Sequence, residues 1–329
     1  MKQITSTHNK KTGIPTEKLT TLSSVQLERM SAQVNDSFLA LLNAEHIDLN
    51  GESETLLSTL YIPLADWLVQ RCTGTIHFTG INGAQGSGKS TLCKILSLLL
   101  SELFNKRVAT LSIDDLYFTR NERLHLSQDV HPLLITRGVP GTHDIKLGLE
   151  IFQQLRQTAG EIKLPRFDKS IDDQVDRSAW PAVTLPIDIV LFEGWCVATK
   201  AESDEKLDSP VNALEQNEDS DGRWRKFVNQ QLNQIYPPLF EQLNTLIMLE
   251  VPTFNKVIQW RSKQEDKLRD QPDSQNKKHI MNDVELTRFI AHYERLTRAN
   301  LAEMTQRADL RLQLNEEQKI SAIAVREEK

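Results

Sequence analysis

The residues Gly83-Ala84-Gln85-Gly86-Ser87-Gly88-Lys89-Ser90 follow the spacing G-x-x-x-x-G-K-[ST]. Glycines at 83, 86 and 88 let backbone N–H groups turn inward around an anion with no Cβ in the way. Thr91 opens an apolar helix whose positive N-terminal end faces the same anion. Residues 83–91 therefore have the chemistry of a nucleotide phosphate cradle. Lys89 is expected to reach the β- and γ-phosphates of ATP, and the Ser90 hydroxyl to ligate Mg²⁺. GTPases, motor ATPases and small-molecule kinases all use such a loop, so other residues must choose between them.

Two further acidic positions make that choice. Leu111-Ser112-Ile113-Asp114-Asp115-Leu116-Tyr117 ends an apolar run. In an open parallel sheet, ligands sit beyond the carboxyl ends of the strands. A carboxylate there lies where an alcohol would attack a γ-phosphate, and Asp114 is the candidate base for the hydroxyl proton. An N-capping role is the alternative. Asp115 should point elsewhere, because strand residues alternate, and it reads better as a cap. Ile187-Asp188-Ile189-Val190-Leu191-Phe192-Glu193-Gly194-Trp195 runs apolar residues into one acid, so Glu193 is expected to meet Mg²⁺ directly or through water. Trp195 either walls a substrate pocket or packs in the core. A carboxylate aimed at an alcohol favours transfer over slow hydrolysis, which needs a positioned water instead.

These residues need a frame. Runs at 75–81, 108–113, 187–192, 246–251 and 308–314 read as strands. The segments 91–104, 148–155, 227–243 (punctuated by Pro237-Pro238), 254–268 and 284–304 read as helices. The alternation predicts an α/β fold, a doubly wound and mostly parallel sheet with helices on both faces. Ahead of it, Val25, Met30, Val34, Phe38, Leu42, Leu60, Leu64 and Trp67 predict two or three helices over 23–72, with Pro63 starting or kinking one. The expected organisation is a flexible tail at 1–20, a helical extension packed on the core at 21–73, a catalytic domain at 74–316 and a charged C-terminal tail at 317–329. Neither the extension nor the final 15 residues enter the catalytic reading. Residues 202–221 carry eight acids and one lysine, and the first half reads as a solvated surface loop, with a mobile flap beside the site as the alternative.

Composition sets outer limits. The chain has 329 residues, 39% hydrophobic and 26% charged, so it can bury a large core without cross-links. A net charge of −6 offers no general attraction to nucleic acid or anionic lipid. Three widely spaced cysteines, Cys72, Cys93 and Cys196, contain no Cys-x-x-Cys and argue for a reducing compartment without structural zinc. The first residues lack the apolar core of a secretory signal, and no apolar run is long enough to span a bilayer. A soluble cytoplasmic protein with a small-molecule substrate is expected, without nucleic-acid or membrane partners.

The motifs Gly83–Ser90, Ser112–Tyr117, Arg137-Gly-Val-Pro-Gly-Thr-His143-Asp144, Leu164-Pro-Arg166-Phe-Asp168-Lys169-Ser and Phe192–Trp195 together resemble the plant- and fungal-type D-glycerate 3-kinase family. Pro210–Glu215, Trp224-Arg225 and Trp260–Glu265 extend the similarity, which spans roughly residues 75–315. Phosphoribulokinase, uridine kinase and bacterial pantothenate kinase are wider relatives. The resemblance implies a P-loop kinase with a helical lid, using ATP and Mg²⁺ to phosphorylate the 3-hydroxyl of D-glycerate. Lys89, Ser90, Asp114 and Glu193 sit on motifs common to the wider group. Tyr117, Arg137, His143, Asp144, Arg166, Asp168 and Lys169 sit on motifs that look family-specific, which implies the acceptor side. Glycerate carries a carboxylate and a guanidinium binds it bidentately, so Arg137 and Arg166 are candidates, with a salt bridge as the equal alternative. His143 either hydrogen-bonds a hydroxyl or serves as a capping or core histidine. Arg261, on a helix with Lys263 and Lys267, is the candidate lid cation, against a plain solvated face. The rival acceptors are a nucleoside, pantothenate or another polyol. A nucleotide-switched regulatory ATPase is the rival class.

Overall fold

The computed structural model describes residues 18–49, 51–74, 76–270 and 282–326, with the side chains of 263–270 and 283 excluded. Residues 1–17, Thr75, and the Lys263 and Lys267 side chains therefore lie outside the described residues. The described residues form ten strands: β1 His77–Gly83, β2 Val108–Ser112, β3 Glu161–Lys163, β4 Phe167–Asp168, β5 Asp173–Gln174, β6 Ala182–Thr184, β7 Ile189–Gly194, β8 Thr245–Glu250, β9 Leu310–Leu314 and β10 Ile320–Val325. Six of them form the main sheet in the order β10-β9-β8-β1-β7-β2. Its pairs are parallel except β9–β10. β3 with β6, and β4 with β5, form two small antiparallel ribbons beside it.

Period-two alternation sorts the central strands between two cores. Phe78, Val190, Phe192, Leu246 and Met248 face one, where Phe152 stacks on Phe78 with ring centroids 4.5 Å apart. Ile81, Ile189, Leu191, Ile247 and Leu249 face the other. Both faces are covered, which is why these strands read as near-continuous apolar runs.

The helix Lys89–Phe104 lies on the second face and buries Leu92, Ile95, Leu96, Leu99 and Leu100. The N-terminal helices pack over it. Ser24–Ala44 starts with a reciprocal Ser23/Gln26 capping box and buries Val34, Phe38 and Leu42. Ile62–Arg71 carries Pro63 in its first turn and buries Trp67 and Leu68. All of these belong to one core with Leu96 and Leu99. Each large side chain buried this way contributes about 1.5–3 kcal/mol.

Three expectations are corrected. Residues 317–329 do not form a charged tail throughout, because Ile320–Val325 pairs antiparallel with β9 and adds the edge strand. The flanking Glu316, Glu317, Lys319 and Arg326 hid the apolar alternation of Ile320 and Val325. The first half of the acidic stretch is exposed at Asp204, Glu205 and Asp208 but turns as a short helix and not as a loop, and the second half is partly buried. The stretch contains the helices Asp204–Leu207 and Ala213–Glu218, and its Glu215 and Asp219 are buried against Arg295 and Arg225. The single helix expected over 227–243 is two, Arg223–Gln234 and Pro237–Phe240, separated where Pro237-Pro238 removes backbone donors. No helix among the described residues is long and apolar enough to cross a membrane.

Candidate active site

Parallel register brings the chemistry together. Ile81 of β1 and Ser112 of β2 both pair with Glu193 of β7. The phosphate loop leaving β1, the acid closing β7 and the acids following β2 therefore share one end of the sheet. Gly86 and Gly88 adopt φ of 76° and 91°, the left-handed region that a glycine enters without strain. A Cβ on Gly83 would stand 2.6 Å from Ser87 Oγ and 3.0 Å from Leu249 Cβ, so the loop can close only with glycine there.

Lys89 Nζ donates to the Ala84 carbonyl at 3.1 Å. Burial lowers the Lys89 pKa, while Glu193 and Asp114 pull it back up. Those two carboxylates are thus close enough to act on the ammonium. Ser90 Oγ donates to Glu193 Oε1 at 2.8 Å. A hydroxyl and a carboxylate side by side, at the mouth of a phosphate cradle, make an oxygen donor pair of the kind a hard divalent cation prefers. The residues present thus fit Mg²⁺.

Asp114 sits on the turn Ile113–Leu116, started by a reciprocal cap. Ser112 Oγ accepts from the Asp114 N–H at 3.3 Å, and Asp115 Oδ2 accepts from the Ser112 N–H at 3.4 Å. Asp115 also accepts from Arg166 Nη1 at 3.1 Å and from the Phe167 N–H at 3.3 Å. It is a bracket, and its partners leave Asp114 to face the site. Asp114 Oδ1 accepts from the Tyr117 hydroxyl at 2.8 Å, and Oδ2 from Lys169 Nζ at 2.6 Å. Burial pushes the Asp114 pKa up, but the Lys169 charge, its hydrogen bond and that of Tyr117 outweigh it and hold the carboxyl at about 2.

The segment Arg137–Asp144 is zipped to the chain behind Asp114. The Phe118 N–H donates to Thr142 O at 2.9 Å and the Asp144 N–H to Leu116 O at 2.7 Å. His143 stacks on Tyr117 with centroids 4.6 Å apart. Tyr236 Oη accepts from the Gly141 N–H at 2.9 Å and lies 2.6 Å from His143 Nδ1, so the tyrosine proton goes to Nδ1 and the imidazole hydrogen is assigned to Nε2. Burial lowers the His143 pKa to about 4, which keeps the ring neutral.

The other acceptor-side candidates are engaged with the protein itself. Asp144 caps the helix Ile145–Leu155, accepting from the Leu147 N–H at 2.9 Å. Asp168 accepts from the Ser170 N–H at 2.8 Å and from its hydroxyl at 2.6 Å. Arg166 pairs with Asp115, and Arg137 with Asp172. Lys169 keeps a 59% exposed side chain while holding Asp114. Arg261 lies on the helix Phe254–Asp270, and its charge acts on Tyr293, whose hydroxyl donates to Arg137 O at 3.2 Å. Trp195 is core. Its Nε1 donates to Gly138 O at 3.0 Å and its ring meets Tyr293 edge-on.

Sequence reading missed three residues. Arg123, with a fully buried side chain, donates to Phe118 O at 3.2 Å, Ile135 O at 2.6 Å and Asp172 O at 2.6 Å. One guanidinium thus ties the Asp114 turn, the Arg137 segment and the Lys169 loop. Asn82 Nδ2 donates to Trp195 O at 3.0 Å and Val197 O at 2.8 Å, fixing β7's exit to β1's. Tyr236 is the third. A polar residue closing an apolar strand marks Asn82, but Arg123 and Tyr236 carry no local signal, since Arg123 reaches carbonyls up to 49 positions away and Tyr236 a histidine 93 positions away.

Comparison with known proteins agrees with this geometry. The chain is 32% identical over 237 residues to the uncharacterized kinase mug58 of Schizosaccharomyces pombe, a match spanning 67% of this chain and 79% of that protein. It is 29% identical over 223 residues to the chloroplastic D-glycerate 3-kinase of Arabidopsis thaliana, 65% of this chain and 45% of the plant protein, so it spans under half of that relative's length. A D-glycerate 3-kinase structure from Cryptococcus neoformans superposes with a TM-score of 0.62 at 24% identity, covering 91% of this chain and 98% of that one, and shares the fold. No protein-family model matches the chain.

Proposed function

The chain belongs to the plant- and fungal-type D-glycerate 3-kinase family of P-loop kinases, and from that premise we propose that it transfers the γ-phosphoryl group of ATP to the 3-hydroxyl of D-glycerate. One observation carries the reading. An ionised carboxylate, Asp114, is held between a phenol and an ammonium beside the lysine of a phosphate cradle.

In this reading the loop amides and Lys89 hold the triphosphate, and Ser90 and Glu193 hold Mg²⁺, which neutralises charge on the phosphate oxygens. The acceptor hydroxyl oxygen bonds to Pγ, the bond from Pγ to the bridging oxygen breaks, and ADP leaves with that electron pair. The hydroxyl proton passes to Asp114. A carboxylate near pKa 2 is a weak base at neutral pH, so its work is to orient the hydroxyl and take the proton late, as a loose transition state allows. Lys169 is paired with Asp114 just as Arg137 and Arg166 are paired with Asp172 and Asp115, but it is the most exposed of the three, which supports it as the cation that reaches a substrate carboxylate as well. Arg261 contributes positive charge from the helix above.

The test is phosphoryl transfer to D-glycerate, L-glycerate, uridine and pantothenate, read as ADP release, with the product's position determined by NMR. D-glycerate should be the preferred acceptor and carry phosphate on its 3-oxygen. Preference for pantothenate or uridine removes the substrate assignment. Acceptor-independent hydrolysis removes the transfer reading.

A further inference from the structure

A cleft of about 700 Å³ opens at the end of the sheet away from Asp114. Phe78 near the start of β1, Arg107 just before β2, Asp188 just before β7 and Asn244 just before β8 line it. It therefore lies at the amino ends of four parallel strands, whereas the phosphate loop, Asp114 and Glu193 follow from the carboxyl ends. β1 runs seven residues, so the two ends are about 20 Å apart. The strand starts are tied together there. The His77 N–H donates to Asp188 O at 2.9 Å and the Asn244 N–H to Phe78 O at 2.8 Å.

Its charge is opposite to that of the whole chain. The chain carries a net −6, yet Lys106, Arg107 and Arg156 line this cleft against one acid, Asp188. That acid is committed. It accepts from the Arg107 N–H at 2.8 Å, from Arg107 Nε at 2.9 Å and from Nη2 at 2.6 Å. Arg107 is thereby neutralised, and Lys106 acts on Asp188 only from beyond ion-pair distance. The Arg156 guanidinium lies 4.4 Å over the Phe78 ring, and its Nη1 donates to Phe152 O at 2.9 Å. Stack and bond fix the guanidinium plane while using one of its five N–H donors. Among the described residues, neither Arg156 nor Lys106 has a carboxylate within ion-pair distance. Arg156 follows the helix Ile145–Leu155 and Lys106 follows the helix Lys89–Phe104. The carbonyl end of a helix carries roughly half a negative charge, so each end balances only part of a full cation.

The volume falls within the range of small-molecule sites, about 300–1,000 Å³. Two cations left with unmatched charge suit a carboxylate or a phosphate, and a fixed guanidinium takes a pair of oxygens from either. Leu155 and Ile187, both buried, give the cleft an apolar wall. Asn244 Oδ1 accepts from the Phe78 N–H at 2.8 Å, which leaves its amide hydrogens as donors at the rim. We propose that this cleft binds a small organic anion, a carboxylate or phosphate ester on an apolar or aromatic body, held by Lys106 and Arg156. It is a second ligand site, separate from the phosphate loop and from the acceptor, and it does not depend on the kinase reading.

Calorimetric titration of the full chain with benzoate, phenyl phosphate and phenol tests it. The three share a ring and differ in charge. At least one of the two anions should bind wild type with a dissociation constant below about 1 mM, and phenol at least about tenfold more weakly. The tighter anion identifies the headgroup the cleft takes. Lys106→Met and Arg156→Met should each weaken that anion about tenfold. Thr158→Glu, at an exposed rim position, should weaken it in the same way by adding an opposing charge while leaving both cations in place. Failure of both anions to bind overturns the proposal, as does phenol binding as tightly as they do. Anion binding that all three variants leave unchanged lies outside the cleft and overturns it too.

Discussion

Lys169 places its ammonium 2.6 Å from Asp114 Oδ2 from a loop 55 positions further along the chain. The other groups that interact with Asp114 are the Tyr117 hydroxyl, His143, Lys89, Asp115, Cys196 and Tyr293. Burial alone would raise the Asp114 pKa, and Lys169 is the largest of the influences that lower it to about 2. In Lys169→Met burial prevails and the carboxyl titrates higher. Asp114 works ionised, so activity is lost as pH falls through its pKa. The acid limb of kcat/KM should therefore move up by about one pH unit or more in Lys169→Met. An acid limb that stays in place while KM for the acceptor rises would assign Lys169 to binding alone.

Arg123 is expected to act on the acceptor side and not on ATP. Its guanidinium holds three carbonyls from three segments, and lysine cannot reproduce that fork. Arg123→Lys should raise KM for the acceptor about ten- to a hundredfold, because small displacements of the Lys169 loop matter there. KM for ATP should change by less than about twofold. Equal effects on both would mean that the whole sheet end had loosened.

Gly138 has no room for a side chain. Its φ is 138°, and a Cβ would lie 2.2 Å from the Tyr293 hydroxyl. Its carbonyl also accepts from Trp195 Nε1 at 3.0 Å. Gly138→Ala should cost about 1–3 kcal/mol, seen as a lower denaturant midpoint. A midpoint equal to wild type would show that Tyr293 yields freely.

Much of this arrangement was legible from local sequence. The loop Gly83–Ser90 declares its own backbone through glycine spacing, and the apolar runs ending in Asp114 and Glu193 declare both strand and direction. A parallel sheet then has to bring those ends together. What escaped depends on distance or on disguise. Arg123 hydrogen-bonds carbonyls as far away as Asp172, and nothing near an arginine announces such partners. Arg137 and Arg166 read equally as anion binders or as salt-bridge partners, and sequence order does not reveal that Asp172 and Asp115 sit beside them. Strand β10 was masked by flanking charge.

Steady-state kinetics and MgATP titration of Asp114→Asn test the central claim most directly. The substitution keeps the shape of the side chain and removes its charge. The account predicts a loss of about 10²–10⁴-fold in kcat with MgATP affinity retained. Turnover close to wild type, with D-glycerate as acceptor, would contradict it.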